Sequence, residues 1–316
     1  MISRSQEEIM QDWPAKWSAP VVSVRCTTYN HEPYIAQALD SFLAQKTNFP
    51  FEVVVHDDAS TDKTADIVRE YEMKYPQIIK PIYETENQYS KRDGSLRKIV
   101  DNACKGKYIA FCEGDDFWSN ENKLQKQYDF IEKNPSFSAC AHNTNMINLV
   151  NGDERVLYSH DDAILQTDFF SKEFHFNSLF CKRDVFLNRP IYRLPVPGDI
   201  IIETYLKTLG PIFRFGDVMS VYRCGVAGSW TKRIGLNKKK SIENSRNVLA
   251  YYEELKKMAP DRLQENISLC IEKQKFLILR KEGRFFKAKK DFPERWKELS
   301  LKRKIYFFYD FLRSLV

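Results

Sequence analysis

The sequence lacks the features that mark several large classes of protein. Its 316 residues contain no apolar run of about 18 residues, so we expect no transmembrane helix. GxGxxG, GxxxxGKS/T, HExxH and GxSxG motifs are all absent, which disfavours dinucleotide-dependent oxidoreductases, P-loop NTPases, zinc proteases and serine hydrolases. The acidic, polar start, MISRSQEEIMQDW, does not predict a signal peptide.

Paired cysteines and close histidine pairs are also missing. The seven cysteines are scattered, and none forms a CxxC pair. Several lie in apolar runs, as buried and reduced thiols do in a cytoplasmic protein, so we expect neither a disulfide scaffold nor a zinc site. The five histidines have no close pair, which agrees with that expectation.

Basic residues are unevenly distributed along the chain. The net charge is only +6, but Lys and Arg concentrate in the last third. This concentration is typical either of a solvated helical surface or of a surface for phosphates or anionic lipid. We do not expect a nucleic-acid partner.

Strand and helix patterns alternate along the first part of the chain. Residues 21–30, 51–60, 78–84 and 107–116 predict strands, and segments with apolar residues at helical spacing lie between them. The strands are continuously apolar, which indicates burial on both faces. We therefore predict an α/β fold with a mostly parallel, Rossmann-like sheet flanked by helices.

Three of these strands end in polar groups, namely TTYN, HDDAS and EGDD. A parallel sheet gathers such ends at one edge, where ligands bind in folds of this kind. Glu113, Asp115 and Asp116 would suit Mg²⁺ or Mn²⁺, which take carboxylates together with substrate phosphates. The alternative is a solvated acidic turn, or a cap on the helix that begins near Ser119.

Asp57 and Asp58 end the second predicted strand. Capping of the next helix is the alternative to a ligand role, but Ser60, Thr61 and Asp62 suffice for that. We therefore interpret Asp57 and Asp58 as left over for a ligand, such as an N–H donor on a base.

The chain resembles the family 2 glycosyltransferases, inverting enzymes of the GT-A fold, in four segments. These are VVSVRCTTYNHEPYIAQALDSFLAQ, FEVVVHDDASTDKTADIV, ACKGKYIAFCEGDDFW and KLQKQYDFIEKNP. The resemblance runs from about residue 20 to 145 and continues more weakly to Trp230. It implies a nucleotide-sugar donor, a divalent metal cofactor (Mn²⁺ or Mg²⁺), and a glycan or lipid-linked acceptor.

The resemblance also suggests how the chain divides into domains. Residues 1–20 form a polar lead-in, and 21–235 form the GT-A domain. Within that domain, 21–118 is the nucleotide-sugar-binding half and 119–235 the acceptor half. Residues 236–316 form a C-terminal helical appendage.

Donor-site roles follow from the resemblance, residue by residue. The residues implied to bind the nucleotide sugar are Thr27, Tyr29, Glu32, one of Asp57 and Asp58, Arg97 or Lys98, Asp115 and Asp116. EGDD falls on the family's DxD-type metal motif, with Glu113 in place of the first aspartate. Asp115 is expected to make the main metal contact, with Glu113 and Asp116 beside it.

Inverting transfer needs a general base for the acceptor hydroxyl. In similar enzymes this base is an aspartate near a helix start, which points to Asp199 in LPVPGDIIIETYLKTLG, with Glu203 as the fallback. The alternative for Asp199 is a helix cap. No QxxRW sequence is present, which favours transfer of one sugar per cycle.

Further candidates lie on the acceptor side or in a closing loop. They are His142, Asn143, Tyr222, Arg223, Ser229 and Trp230. Tyr222 to Trp230 would close over the diphosphate or acceptor, or form a surface loop with a packed tryptophan. His142 faces the acceptor or anchors the core.

We predict an inverting glycosyltransferase of cell-surface glycan assembly that uses a UDP-linked donor. The alternatives are a non-catalytic relative that binds nucleotide sugars or glycans, and a sugar nucleotidylyltransferase. The last is disfavoured because its glycine- and arginine-rich first loop is replaced by TTYNHEP.

The tail from about residue 281 onward interleaves basic and aromatic residues. This pattern suits a helix in a membrane interface, which would make the protein peripheral on the cytoplasmic face. The alternatives are aromatic packing within the appendage and a homodimer interface.

Overall fold

The computed structural model divides the chain into two compact units. It describes residues 4–91, 93–166, 168–170, 172–189, 196–226, 237–300 and 304. The first unit consists of the described residues of Met1–Gln166, Lys172–Arg189 and Leu209–Val226. The second consists of those of Thr167–Ser171, Pro190–Thr208 and Ala227–Val316.

A parallel sheet forms one half of the first unit. Its strands are β1 (Val22–Thr28), β2 (Phe51–Asp57), β3 (Ile79–Tyr83) and β4 (Tyr108–Phe111). They lie in the order β3-β2-β1-β4, and all three neighbouring pairs are parallel. Every residue of β2 is buried, because helices cover both faces of a parallel sheet. The predicted strands and their parallel arrangement are confirmed.

Six helices accompany this half of the sequence. They are α1 (Gln6–Met10), α2 (Ile35–Leu43), α3 (Thr64–Lys74), α4 (Gln88–Lys91), α5 (Ser95–Ala103) and α6 (Lys123–Lys133). All the apolar positions of α2 that set its helical spacing are buried in the core. The polar lead-in contributes as well: Ser5 and Glu8 form a capping box at the start of α1, and Ile9 is 2% exposed in the core.

The sheet continues with mixed strand directions. The remaining strands are β5 (Phe117–Trp118), β6 (Ala139–Asn148), β7 (Glu154–Val156), β8 (Ala163–Leu165), β9 (Phe180–Lys182) and β10 (Ile212–Cys224). Strand β9 is antiparallel to both β4 and β6, whereas β10 is parallel to β6. The sheet is therefore predominantly parallel only in its first half. Register shifts around Val218 bend β10, and the short helix α7 (Arg183–Leu187) follows β9.

The second unit is helical where it is described. It contains α8 (Gly198–Leu209, whose last residue belongs to the first unit), α9 (Lys238–Met258), α10 (Gln264–Lys281), α11 (Phe285–Asp291) and α12 (Pro293–Glu298). Ile201 of α8 packs in one cluster with Val248 and Tyr251 of α9. This shared core groups α8 with the C-terminal helices in the second unit, and the predicted domain boundary at residue 236 stays a prediction.

Two further findings concern the cysteines and the helices. All seven cysteines are free, and only Cys224 is not fully buried. No helix in the described part of the chain is both long and apolar enough to cross a membrane.

Candidate active site

The ends of β1, β2 and β4 meet along one edge of the sheet. Thr28 at the end of β1 stands in register with Asp57 at the end of β2. The backbone N–H of Gly114, just after β4, donates to the carbonyl of Thr27 at 2.9 Å. The TTYN, HDDAS and EGDD segments thus lie side by side, because parallel neighbours place their carboxyl ends together.

Gly114 has no space for a side chain. A Cβ there would lie 2.7 Å from Oγ1 and 2.9 Å from Cβ of Thr28. Only glycine lets the acidic loop approach β1 this closely. The glycine in EGDD therefore fixes where the neighbouring carboxylates stand.

Asp116 is the buried member of the acidic loop. It is 1% exposed, and its two oxygens accept hydrogen bonds from opposite sides. Oδ1 accepts from the backbone N–H of Arg223 at 3.0 Å, and Oδ2 accepts from Nδ2 of Asn177 at 3.0 Å. Both oxygens are therefore engaged within the protein, so Asp116 supports the loop more directly than it offers a ligand.

Asp115 and Glu113 are the accessible carboxylates of this loop. The Asp115 side chain is 15% exposed, and its Oδ2 lies 3.8 Å from Nε2 of His31. Glu113 is exposed. These two side chains, two residues apart, are the ones an incoming cation or diphosphate would reach, as the DxD-type match predicts.

Burial makes the two aspartates hard to ionise. It raises the pKa of Asp115 to about 6, while the Arg223 guanidinium acts in the opposite direction. Burial also raises the pKa of Asp116 well above its ordinary value, and the negative charge of Asp115 adds to that rise. Crowded, poorly hydrated carboxylates are stabilised by a nearby cation, so this electrostatic pattern is one that a divalent metal would relieve.

Arg223 forms part of the wall beside the acidic loop. Its guanidinium donates to the backbone carbonyl of Asp115 at 2.6 Å and to Oε1 of Gln37. It also lies over the rings of Tyr34, at 5.1 Å, and Phe117, at 4.6 Å. The guanidinium is thus held internally, so its expected closure over a diphosphate stays a prediction.

Asp57 and Asp58 have partners of their own. Asp57 accepts from the backbone N–H and the hydroxyl of Ser60. Asp58 accepts from the backbone N–H groups of Gln88 at 2.7 Å and Tyr89 at 3.0 Å, at the start of α4. Both aspartates therefore have partners inside the protein, Asp57 in the turn after β2 and Asp58 at the start of α4, rather than at the start of α3. A contact of either one with a nucleobase stays a prediction.

The other donor-side candidates border the same edge. Thr27 is half-buried, and Tyr29 is 44% exposed directly beyond β1. Oε2 of Glu32 accepts from the backbone N–H of Lys63 at 3.1 Å, so Glu32 helps hold the loop after β1. Lys98 is exposed on α5, one residue from the half-buried Arg97.

Arg97 lies near two other arginines, Arg25 and Arg189, but only one aspartate, Asp101. Arg25 and Arg189 share one carboxylate, that of Asp101, at 2.9 and 2.5 Å. Burial lowers the pKa of Arg97, and the neighbouring Arg189 adds to that effect. Among the described residues Arg97 has no ion pair of its own, so its guanidinium is available to receive an anion.

His142 and Asn143 are buried. Nδ1 of His142 contacts the carbonyl of Asn143 at 2.8 Å, and burial lowers the pKa of His142 well below its ordinary value. Nδ2 of Asn143 donates to the carbonyls of Tyr158 at 2.9 Å and Ser159 at 3.0 Å. These contacts favour the anchoring interpretation over the acceptor-facing one.

The candidate base belongs to the second unit. Asp199 lies in the first turn of α8, and its Oδ1 accepts from the backbone N–H of Ile200 at 3.0 Å. Glu203 forms an ion pair with the buried Lys207 at 2.9 Å, which makes it a poor fallback. The base role of Asp199 stays a prediction, and Ser229 and Trp230 lie outside the described residues.

Sequence reasoning missed three side chains at this edge. Asn177, in the 3₁₀ turn Phe176–Ser178, holds Asp116. His175 stacks on Tyr222 with ring centroids 4.1 Å apart, and His31 faces Asp115. Of these, only His31 had a sequence signal, because it directly follows the polar end of a predicted strand.

No group of three or more His, Cys, Asp or Glu side chains clusters closely enough, within the described ranges, to hold a metal alone. A Mg²⁺ or Mn²⁺ ion at a phosphate-binding site needs only one or two carboxylates, since substrate oxygens and water supply the rest. Asp115 and Glu113 supply two carboxylates in this loop, and their use by a metal stays a prediction.

Comparison with known sequences identifies relatives. The sequence model of Glycosyl transferase family 2 matches residues 23–182, just over half of the chain. An uncharacterised protein of Mycobacterium tuberculosis is 33% identical over 223 residues, which cover 66% of this chain and 60% of that protein. The chain thus spans less than two thirds of that relative's length. TuaG of Bacillus subtilis, whose name assigns it to teichuronic acid biosynthesis as a glycosyltransferase, is 34% identical over 155 residues, or 47% of this chain and 58% of TuaG.

Solved structures share the fold. TarS of S. aureus in complex with UDP-GlcNAc matches with a TM-score of 0.62 at 20% identity, over 93% of this chain and 81% of that chain. The mannosyltransferase PcManGT from Pyrobaculum calidifontis, in complex with GDP-Man and Mn²⁺, matches with a TM-score of 0.58 at 17% identity, over 96% and 83%. The predicted GT-A fold is confirmed. Together with the family match over residues 23–182, this shows that the chain belongs to glycosyltransferase family 2.

Proposed function

We propose that this glycosyltransferase moves one sugar from a UDP-linked donor to a hydroxyl of a glycan or lipid-linked acceptor, with inversion at the anomeric carbon. The observation that carries the proposal is the accessible pair Glu113 and Asp115 at the edge where β1, β2 and β4 end. UDP is favoured because TarS is described with UDP-GlcNAc, although PcManGT is described with GDP-Man.

The donor half of the proposal rests on the first unit. Tyr29 is an exposed ring beside the end of β1 and would stack on the base or ribose. Arg97, with no carboxylate of its own among the described residues, would attract the negatively charged nucleotide. Asp115 and Glu113 would hold Mn²⁺ or Mg²⁺ against the diphosphate. When bound, such a cation neutralises the diphosphate as it becomes the leaving group.

Acceptor activation is assigned to Asp199. In a single displacement the acceptor oxygen bonds to the anomeric carbon while the bond to the UDP oxygen breaks. The acceptor hydroxyl loses its proton in the same step, and the Asp199 carboxylate would take it. Its place in the first turn of α8 supports this role only together with the family resemblance.

A role in cell-surface glycan assembly, on the cytoplasmic side of a membrane, completes the proposal. The role in glycan assembly is supported by the name of TuaG, which refers to teichuronic acid biosynthesis. A non-catalytic nucleotide-sugar-binding relative is the alternative from another class. Release of free sugar or its transfer to any acceptor distinguishes the two, because a binding protein would bind UDP and turn over nothing.

Asp199→Asn tests the catalytic assignment. We expect transfer to fall by about 10²–10⁴-fold, the usual contribution of a general base, with UDP affinity changed only a few-fold. The matched control is Asp261→Asn, an exposed aspartate of the second unit at the start of the 3₁₀ helix Asp261–Leu263. Loss of UDP affinity with turnover retained at saturating donor would contradict the assignment.

A further inference from the structure

His31 stands against the carboxylate that the proposed metal site depends on. Its Nε2 lies 3.8 Å from Oδ2 of Asp115, and the two side chains are 16% and 15% exposed. This separation exceeds the roughly 3.2 Å limit of a good N–H···O bond, and it leaves no space for a bridging water. A small rotation of either side chain would bring Nε2 and Oδ2 within hydrogen-bond distance.

The backbone holds the His31 loop in place without help from the imidazole. The N–H of His31 donates to Oγ1 of Thr64 at 2.8 Å. The backbone N–H of Asn30 donates to the hydroxyl of Ser60 at 2.9 Å. The backbone N–H of Glu32 donates to a carboxylate oxygen of Asp62 at 3.1 Å. The ring can therefore be replaced with little effect on the path of the loop.

The second ring nitrogen decides which tautomer fits. Nδ1 of His31 is buried and has no hydrogen-bond partner among the described residues. A buried N–H without an acceptor forfeits its hydrogen bond, so the ring proton is better placed on Nε2, where Asp115 can accept it. In that tautomer His31 presents a donor to the carboxylate.

We infer that His31 is a positioning residue that donates from Nε2 to Oδ2 of Asp115 and turns the other carboxylate oxygen toward the cation. The inference rests on the proposed function, since it concerns the same metal site. Side chains that hydrogen-bond to a ligating group fix its orientation, and they are typically worth about 10–100-fold in metal affinity.

The same geometry argues against His31 as a metal ligand. A coordinating Nε2 would need its proton on Nδ1, and a ligating imidazole almost always donates that proton to an acceptor. Nδ1 has no such acceptor within the described ranges. Mn²⁺ and Mg²⁺ also prefer oxygen ligands to imidazole.

Three substitutions of His31 distinguish a role of Nε2 from a role of Nδ1. The amide nitrogen of Gln reaches the Nε2 position, whereas that of Asn reaches only the Nδ1 position. We expect His31→Ala and His31→Asn to lower the Mn²⁺ affinity of the UDP complex about tenfold or more, and His31→Gln to stay within a few-fold of the wild type. Calorimetric titration of Mn²⁺ into the protein with saturating UDP measures this affinity. UDP affinity in EDTA should be the same for all four proteins.

The experiment has one control variant, and its results can overturn either the inference or the proposed function. His160→Ala removes an exposed histidine outside the site and should change nothing. Wild-type Mn²⁺ affinity in His31→Ala would overturn the inference, as would a histidine nitrogen coupling in the electron spin-echo spectrum of the Mn²⁺–UDP complex that disappears in His31→Gln. If the wild type binds UDP equally in Mn²⁺ and EDTA, the metal site of the proposed function itself fails.

Discussion

At the residue scale, Gly114 makes the most demanding steric contact of the acidic loop. Gly114→Ala would place a Cβ 2.7 Å from Oγ1 of Thr28, and the backbone would have to shift. We expect a loss of about 1–3 kcal/mol in the free energy of unfolding, measured by urea denaturation, together with weaker UDP binding. Gly198→Ala is the matched control, because a Cβ there meets nothing within 4 Å. Equal unfolding midpoints for the two variants would contradict this steric account.

Individual residues also show how much of the candidate site could be predicted from the sequence. The place of Asp115 at the edge of the sheet was predictable because it follows a buried strand of a parallel sheet, and its metal contact stays a prediction. Asn177 was not, since it reaches Asp116 from 61 positions along the chain and nothing local signals that contact. The contacts of Asp58 were not predictable for a related reason: its partner Gln88 lies some 30 positions away, at the start of a helix too short to predict.

At the scale of elements, local periodicity carried the prediction through the first half of the fold. Helix α2 follows one helical repeat without interruption and β2 is a mostly apolar run, so their place in the core follows from the residues alone. Strand β10 bends at register shifts around Val218, and the two-residue strand β5 exists only by pairing with it. A strand as short as β5 depends on tertiary pairing and leaves no periodic trace, whereas a bent strand over residues 211–224 was one of two interpretations that the sequence allowed.

The aromatic residues in the helices after residue 281 fall into two groups, one packed and one exposed. Phe285, Phe292 and Trp296 pack, with Leu299, against a small core formed by Phe276, Leu279 and Ala288. This contact supports internal packing for them. Phe286 is 63% exposed on α11, and the exposed lysines of that helix lie around it. Membrane contact, if made by the described residues, therefore depends on this one ring and its basic neighbours.

Liposome flotation tests the proposed membrane contact. We expect the protein to float with anionic liposomes at low salt, because each basic residue near an anionic surface contributes up to about 1 kcal/mol, and salt should release it. Phe286→Glu should weaken flotation, whereas Met258→Glu, which alters another exposed apolar residue of the second unit, should not. No flotation at low salt would refute the proposal.

At the scale of the whole molecule, the donor and acceptor assignments fall in different compact units. The acidic loop, Tyr29 and Arg97 belong to the first unit, and Asp199 belongs to the second. Under the proposed assignments, nucleotide and metal binding involve residues of the first unit, whereas transfer also involves Asp199 of the second unit. Nucleotide binding is accordingly the more direct test of the proposal.

The measurement that tests the central claim most directly is a calorimetric titration of UDP in Mn²⁺ and in EDTA, for the wild type, Asp115→Asn and Asp184→Asn. Asp184 is an exposed aspartate of the first unit, with a side chain 89% exposed, and serves as the control. We predict that Mn²⁺ tightens UDP binding in the wild type and in Asp184→Asn. In Asp115→Asn the gain should disappear while the protein stays folded. UDP binding that Mn²⁺ leaves unchanged, or an undiminished gain in Asp115→Asn, would contradict the account.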